Sequence, residues 1–140
     1  MIDFASLYQN VKDKFAEEDF ASGLNLLRDT AHRILEGGKL PISQEDVELF
    51  LQKAYWAIER AANYHREAFW DRDLQVLGAD IEKTGLKIIR KYDVQDVSVK
   101  ISYVRSASSL EKDPVKVAAL DKEFDELSAL YAAQSRRKKL

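Results

Sequence analysis

Few residue types in this 140-residue chain can do chemistry, and they are thinly spread. There is no cysteine, which removes thiol catalysis, disulfides and thiolate-held zinc. Two histidines, His32 and His65, leave little for a transition-metal site. Asp29-x-x-His32 has the spacing of half a carboxylate-histidine iron site, but no other helix supplies a matching Glu-x-x-His. Gly37-Gly38 lack the surrounding pattern and the lysine and hydroxyl spacing of a phosphate-binding loop. Ser106, Ser108 and Ser109 near Lys112 have no convergent base, and the pairs Glu45/Glu48 and Glu123/Glu126 read as solvated helix faces. No cofactor and no metal site is expected.

What remains is one stretch, Ala54 to Asp71, AYWAIERAANYHREAFWD, which holds both tryptophans, His65 and several charges. Its surroundings are helical. The spacing of Phe4, Leu7, Tyr8, Val11 and Phe15 predicts a first helix ending near Glu17-Glu18-Asp19. Phe20, Leu24, Leu27, Ala31, Ile34 and Leu35 predict a second, closed by a left-handed cap at Gly37-Gly38. His32 falls opposite its leucines, at the surface. Ser43-Gln-Glu-Asp46 resembles a capping box and opens a third helix reaching about Phe69. Asp71 caps a fourth, with Leu74, Leu77, Ile81, Thr84 and Ile88 as its seam and Tyr92-Asp93 as its end.

The segment 97–104, VSVKISYV, alternates like a strand, yet Val97, Ile101, Val104 and Leu110 also fit a helix face. No second strand is in sight to pair with it, and an unpaired strand leaves its backbone groups unsatisfied. A helix capped by Asp93 or Asp96 is therefore expected. Asp113-Pro114 opens a last helix to about Gln134, with Val117, Leu120, Phe124, Leu127 and Tyr131 on its seam. The fold expected is all-α: about six helices in antiparallel hairpins, as a bundle or a short stack of helix pairs. Residues 1–134 form one helical domain and 135–140 a basic, frayed tail.

The arm Glu17 to Leu35, EEDFASGLNLLRDTAHRIL, resembles the second helix of a tetratricopeptide repeat, with Phe20, Gly23, Leu24 and Leu27 at that family's aromatic, small and aliphatic positions. Thr30 stands where alanine is usual, and no copy recurs at a spacing of about 34 residues. The resemblance covers about 20 residues and implies a shape, a tetratricopeptide-like helix-pair stack.

On the third helix, Val47, Phe50, Leu51, Ala54, Ile58, Ala61, Ala62, His65 and Phe69 share one face. His65 within it reads as a neutral core histidine, while remaining the one group there able to titrate near neutral pH. Leu49, Trp56, Asn63 and Trp70 recur every seven residues on the other side, with Arg60 and Glu67 between them. Either the chain covers both faces of a central helix, which a six-helix protein favours, or the second face docks another molecule. Exposed tryptophan beside arginine is the composition of interface hot spots. The expected function is accordingly non-enzymatic: binding of a protein partner, or self-association, through Leu49, Trp56, Arg60, Asn63 and Trp70.

Arg60 to His65 also has the form R-x4-H, which resembles the signature of the HEPN superfamily, helical domains of this size that include ribonucleases. That resemblance implies Arg60 and His65 as a catalytic pair converging across a dimer on an RNA phosphate. Against it, Ala61 replaces a usual polar residue, and the two side chains project about 140° apart on a regular helix. A third reading is a small subunit of a nucleic-acid-associated complex, using the tail cations Arg136, Arg137, Lys138 and Lys139. The net charge of −2 does not favour nucleic acid. No apolar run is long enough to span a membrane and the start lacks a secretory signal, so a cytoplasmic protein is expected.

Overall fold

The computed structural model describes residues 2–37, 42–64 and 72–139, and among these every regular element is an α-helix. The order is α1 (Phe4–Ala16), α2 (Phe20–Glu36), α3 (Gln44–Tyr64), α4 (Arg72–Tyr92), α5 (Val97–Leu110) and α6 (Pro114–Lys139).

The helix starts are set by short polar side chains that satisfy otherwise free backbone amides. Asp3 accepts from the Ser6 amide at 3.0 Å and Asp19 from that of Ser22 at 3.2 Å. Ser43 accepts from the Asp46 amide at 3.1 Å, as the capping-box pattern predicts. Asp96, one of the two expected caps, accepts from Val99 at 3.1 Å and commits the strand-like 97–104 segment to α5. Asp113 accepts from Val115 at 3.0 Å, with Pro114 as first helical residue of α6. The turns α1–α2 and α4–α5 pass through the left-handed region at Glu18, φ 61°, and Asp93, φ 50°.

Two expectations are corrected. Gly37 ends α2 with φ −78°, outside the left-handed region, its N–H donating to the Arg33 carbonyl at 2.8 Å. Gly38 and Asp71, the other cap positions, lie outside the described residues. The last helix does not stop near Gln134: it runs on through the basic residues to Lys139. Lysine and arginine suit a helix interior and, in its final turn, oppose the negative end of the helix dipole.

α1 packs along α2 and α6 along α5, and α4 joins these two pairs by lying against both α2 and α5. α2 lies along α4, while α3 touches α2, α4 and α5. Side by side in the same direction, α1 and α3 set Phe4 against Phe50, ring centroids 6.3 Å apart, and Tyr8 beneath the Lys53 ammonium. The core runs through the middle of this stack. Val47, Phe50, Leu51, Ala54 and Ala61 of α3 are wholly buried, with Leu24, Ala31 and Ile34 of α2 and Ile88 of α4. α6 is different: it packs along α5 with half-buried side chains only.

Two polar ties set the height of the helices against one another. The Tyr92 hydroxyl at the end of α4 donates to the Ile34 carbonyl of α2 at 2.9 Å. The Tyr103 hydroxyl of α5, wholly buried, donates to the Leu51 carbonyl of α3 at 2.7 Å. The Tyr103 ring lies directly on Gly85 of α4, where a methyl group would overlap it. Gly85→Ala is expected to lower stability by about 1–3 kcal/mol despite alanine's better helix propensity, because the ring it displaces has a fixed hydroxyl partner. Thermal or urea unfolding measures this. Gly78→Ala, which meets only Ile58 Cγ2 at 3.3 Å, is the milder comparison.

Candidate functional site

α3 is buried on one side and open on the other. The predicted core face is confirmed as far as Ala61, with Ala62 half-buried; His65 and Phe69 lie outside the described residues. The described residues of the opposite stripe are exposed, contrary to what a central helix led one to expect: Trp56 is 69% exposed and Leu49 43%, and Asn63 is exposed as well. The reason is geometric. α1 and α5 flank α3 and leave its outer ridge between two grooves.

The first groove, of about 470 Å³, lies between α1 and α3 over Leu27 of α2. Tyr8 and Phe15 from α1 and Trp56 from α3 are its aromatic walls, and Ala5, Val11, Ala16 and Ala57 line it further. Its polar lining is Gln9, Lys12, Lys53 and Arg60, with no carboxylate among the lining residues. Lys53 stands 4.9 Å above the Tyr8 ring centroid, a cation–π contact. Lys12, Lys53 and Arg60 make no ion pair among the described residues. Burial, with a smaller effect from Asp46, pushes the Tyr8 phenol up to about 12, so it stays neutral at physiological pH.

The second groove, about 160 Å³, lies between α3 and α5, lined by Leu51, Gln52, Tyr55, Trp56, Ser98, Val99, Ser102 and Tyr103. A shallow third hollow continues along α3 past Trp56 to Glu59, Arg60 and Asn63. Trp56 lines all three. Of the residues expected at a binding face, the structure therefore brings together Trp56, Arg60 and Asn63, while Leu49 is exposed but lines none of these hollows. Trp70 lies outside the described residues, as does His65, so the geometry of the Arg60/His65 pair is outside them too. Arg136 and Arg137 are exposed on α6, and Lys138 and Lys139 continue that helix.

Tyr8, Lys12, Phe15 and Lys53 are site residues that sequence reasoning missed. Tyr8 and Phe15 read as core positions of α1; both are half-buried, Tyr8 beneath Lys53 of α3 and Phe15 edge-on against Phe20 of α2. Lys12 and Lys53 carry no local signal; only the side-by-side placement of α1 and α3 joins them.

A polar cluster underlies the α3–α5 side. Glu82 of α4 is raised above the usual carboxylate range by burial first and by neighbouring Glu59 as well, although a hydrogen bond from Ser106 opposes this. Burial and Glu59 likewise raise Tyr55. His32, expected at the surface, is half-buried with Nε2 3.0 Å from Asp80 Oδ2 and joins α2 to α4. A further groove between α4 and α6 gathers Lys83, Lys87, Arg90 and Lys112, but its charge is partly compensated. Arg90 makes paired 2.6 Å bonds to Glu123, and the Glu111 carboxylate lies in the lining beside Lys83. Among the described residues no cluster of His, Asp or Glu has the makings of a metal site, and no helix is long and apolar enough to cross a membrane.

No family model matches the chain, and no match was found among curated proteins or solved structures. The tetratricopeptide-like and HEPN-like features remain local resemblances.

Two outcomes are expected. A raised native carboxyl favours the fold while protonated and loses that contribution as pH rises through its native value. Glu82→Gln should therefore melt above wild type near about pH 7, and this advantage should vanish near about pH 4. Trp56→Ala should change stability by less than about 0.5 kcal/mol, since the indole is mostly in water already; urea unfolding tests it.

Proposed function

We propose that this protein is a docking module that binds another protein through the outer ridge of α3, without chemistry of its own. The observation that carries this reading is the position of Trp56. A large aromatic side chain, 69% exposed, stands where three hollows meet, with Arg60, which makes no ion pair among the described residues, one turn along the helix. Leaving an indole in water forgoes about 2 kcal/mol of burial, and a partner that covers it recovers this. Tryptophan and arginine side by side are also the residue types that dominate binding energy when truncated.

The ridge is held on a rigid element. The buried side of α3 is fixed by the core and by the Tyr103 bond to Leu51, so little ordering entropy opposes docking there. Self-association is one form of the same reading, and a cytoplasmic setting is compatible with it.

Affinity capture on immobilised wild type and Trp56→Ala, from cells that naturally make the protein, tests the proposal. A specific protein retained by wild type and reduced at least about tenfold on Trp56→Ala is the expected result. Equal retention on both would remove Trp56 from the interface and sink the proposal. Light scattering of both forms decides the self-association version, which requires a wild-type oligomer that Trp56→Ala dissociates.

A further inference from the structure

Resting on the docking reading, we infer that the α1–α3 groove takes an acidic peptide segment that carries one aromatic or branched aliphatic side chain. Charge complementarity argues for this occupant. In a chain of net charge −2, three cations converge on one groove from two helices, Lys12 from α1 and Lys53 and Arg60 from α3. No carboxylate lines it and no ion pair among the described residues neutralises these cations. The comparably basic α4–α6 groove has Arg90 tied to Glu123 and Glu111 within its lining, so its charge is answered from within. In the α1–α3 groove the lining supplies no answering carboxylate.

The apolar part of the groove selects the rest of the ligand. Ala5, Val11, Ala16, Leu27 and Ala57 present small aliphatic surface between the Tyr8, Phe15 and Trp56 rings, which suits one inserted side chain better than a phosphate or a ribose. From Ala5 to Ala16 the groove follows α1 for roughly 16 Å, about the length of five extended residues. Lys12 and Arg60 are exposed and sit beside this slot, where aspartate or glutamate flanking the anchor can reach them. A nucleic-acid strand would meet the same aromatics and cations, but the net negative charge of the chain opposes a polyanion of indefinite length. A short acidic segment keeps its charges within the basic groove.

The probe is a phage-displayed library of short random peptides, selected on wild type and depleted on Trp56→Ala. Surviving peptides are then measured against wild type, the doubly reversed Lys12→Glu/Arg60→Glu and the milder Lys12→Gln/Arg60→Gln, with circular dichroism to show that each variant is folded. Expected are peptides rich in Asp and Glu around an aromatic or branched aliphatic residue. They should weaken at least about tenfold on charge reversal, weaken less on neutralisation, and weaken with rising salt. Trp56-dependent peptides that are neutral or basic, or indifferent to both double variants, would overturn the acidic-ligand inference and leave the docking reading standing. Recovery of no Trp56-dependent peptide would likewise overturn the inference, while the docking reading stands or falls on the capture experiment. A short oligouridine that binds more tightly than the selected peptides, through Trp56 and Arg60, would replace the acidic peptide with single-stranded nucleic acid.

Discussion

Tyr103 is the contact on which the arrangement turns. Its ring is wholly buried against Gly85 of α4, its centroid lies 5.8 Å from that of Tyr55, and its hydroxyl donates to the Leu51 carbonyl of α3. One side chain from α5 thereby fixes two other helices. Burial pushes its phenol far above the ordinary range, so it remains a donor at any physiological pH. A bond of this kind adds only about 1 kcal/mol net, yet the cost of leaving a buried hydroxyl unpaired makes other registers of the three helices unfavourable.

Once α3 is held from that side, the exposure of its other side follows. α1 comes alongside through Phe4 on Phe50 and Tyr8 under Lys53, and α5 flanks the opposite edge. Neither passes over the ridge between them. Trp56 stays in water because the helices that could bury it are spent on the flanks. The same side-by-side placement gathers Lys12, Lys53 and Arg60 into one groove, giving an acidic protein a local basic surface. α6 takes no part in this, packing on α5 and reaching α4 through the Arg90–Glu123 pair.

Much of this was legible residue by residue. Ser43, Asp96 and Asp113 each cap where their position before an apolar period suggests, and Val47 to Ala61 bury the face their spacing defines. The strand-like segment 97–104 went to helix for the reason available in the sequence: it had no partner strand, and its aspartate cap was in place. Gly37 was less transparent, since glycine permits a left-handed cap without requiring one. His32 keeps more than a third of its side chain in solvent, as its spacing suggested, but its partner, Asp80, comes from another helix and was not legible.

The sequence by itself determined the class of fold, the helix boundaries set by caps, and the two-faced character of α3, because these depend on interactions spanning one to four residues. Whether the second face would be covered was not among them. That depends on how far α1 and α5 wrap around α3, which is set by ring contacts and by one hydroxyl bond between residues 52 positions apart. Tertiary packing alone decided that Trp56 would stand exposed, that Tyr8 and Phe15 would wall a groove, and that Lys12 of α1 would share it with Lys53 and Arg60 of α3. Periodicity specifies which residues share a helix face; only the packing of neighbouring helices determines what that face meets.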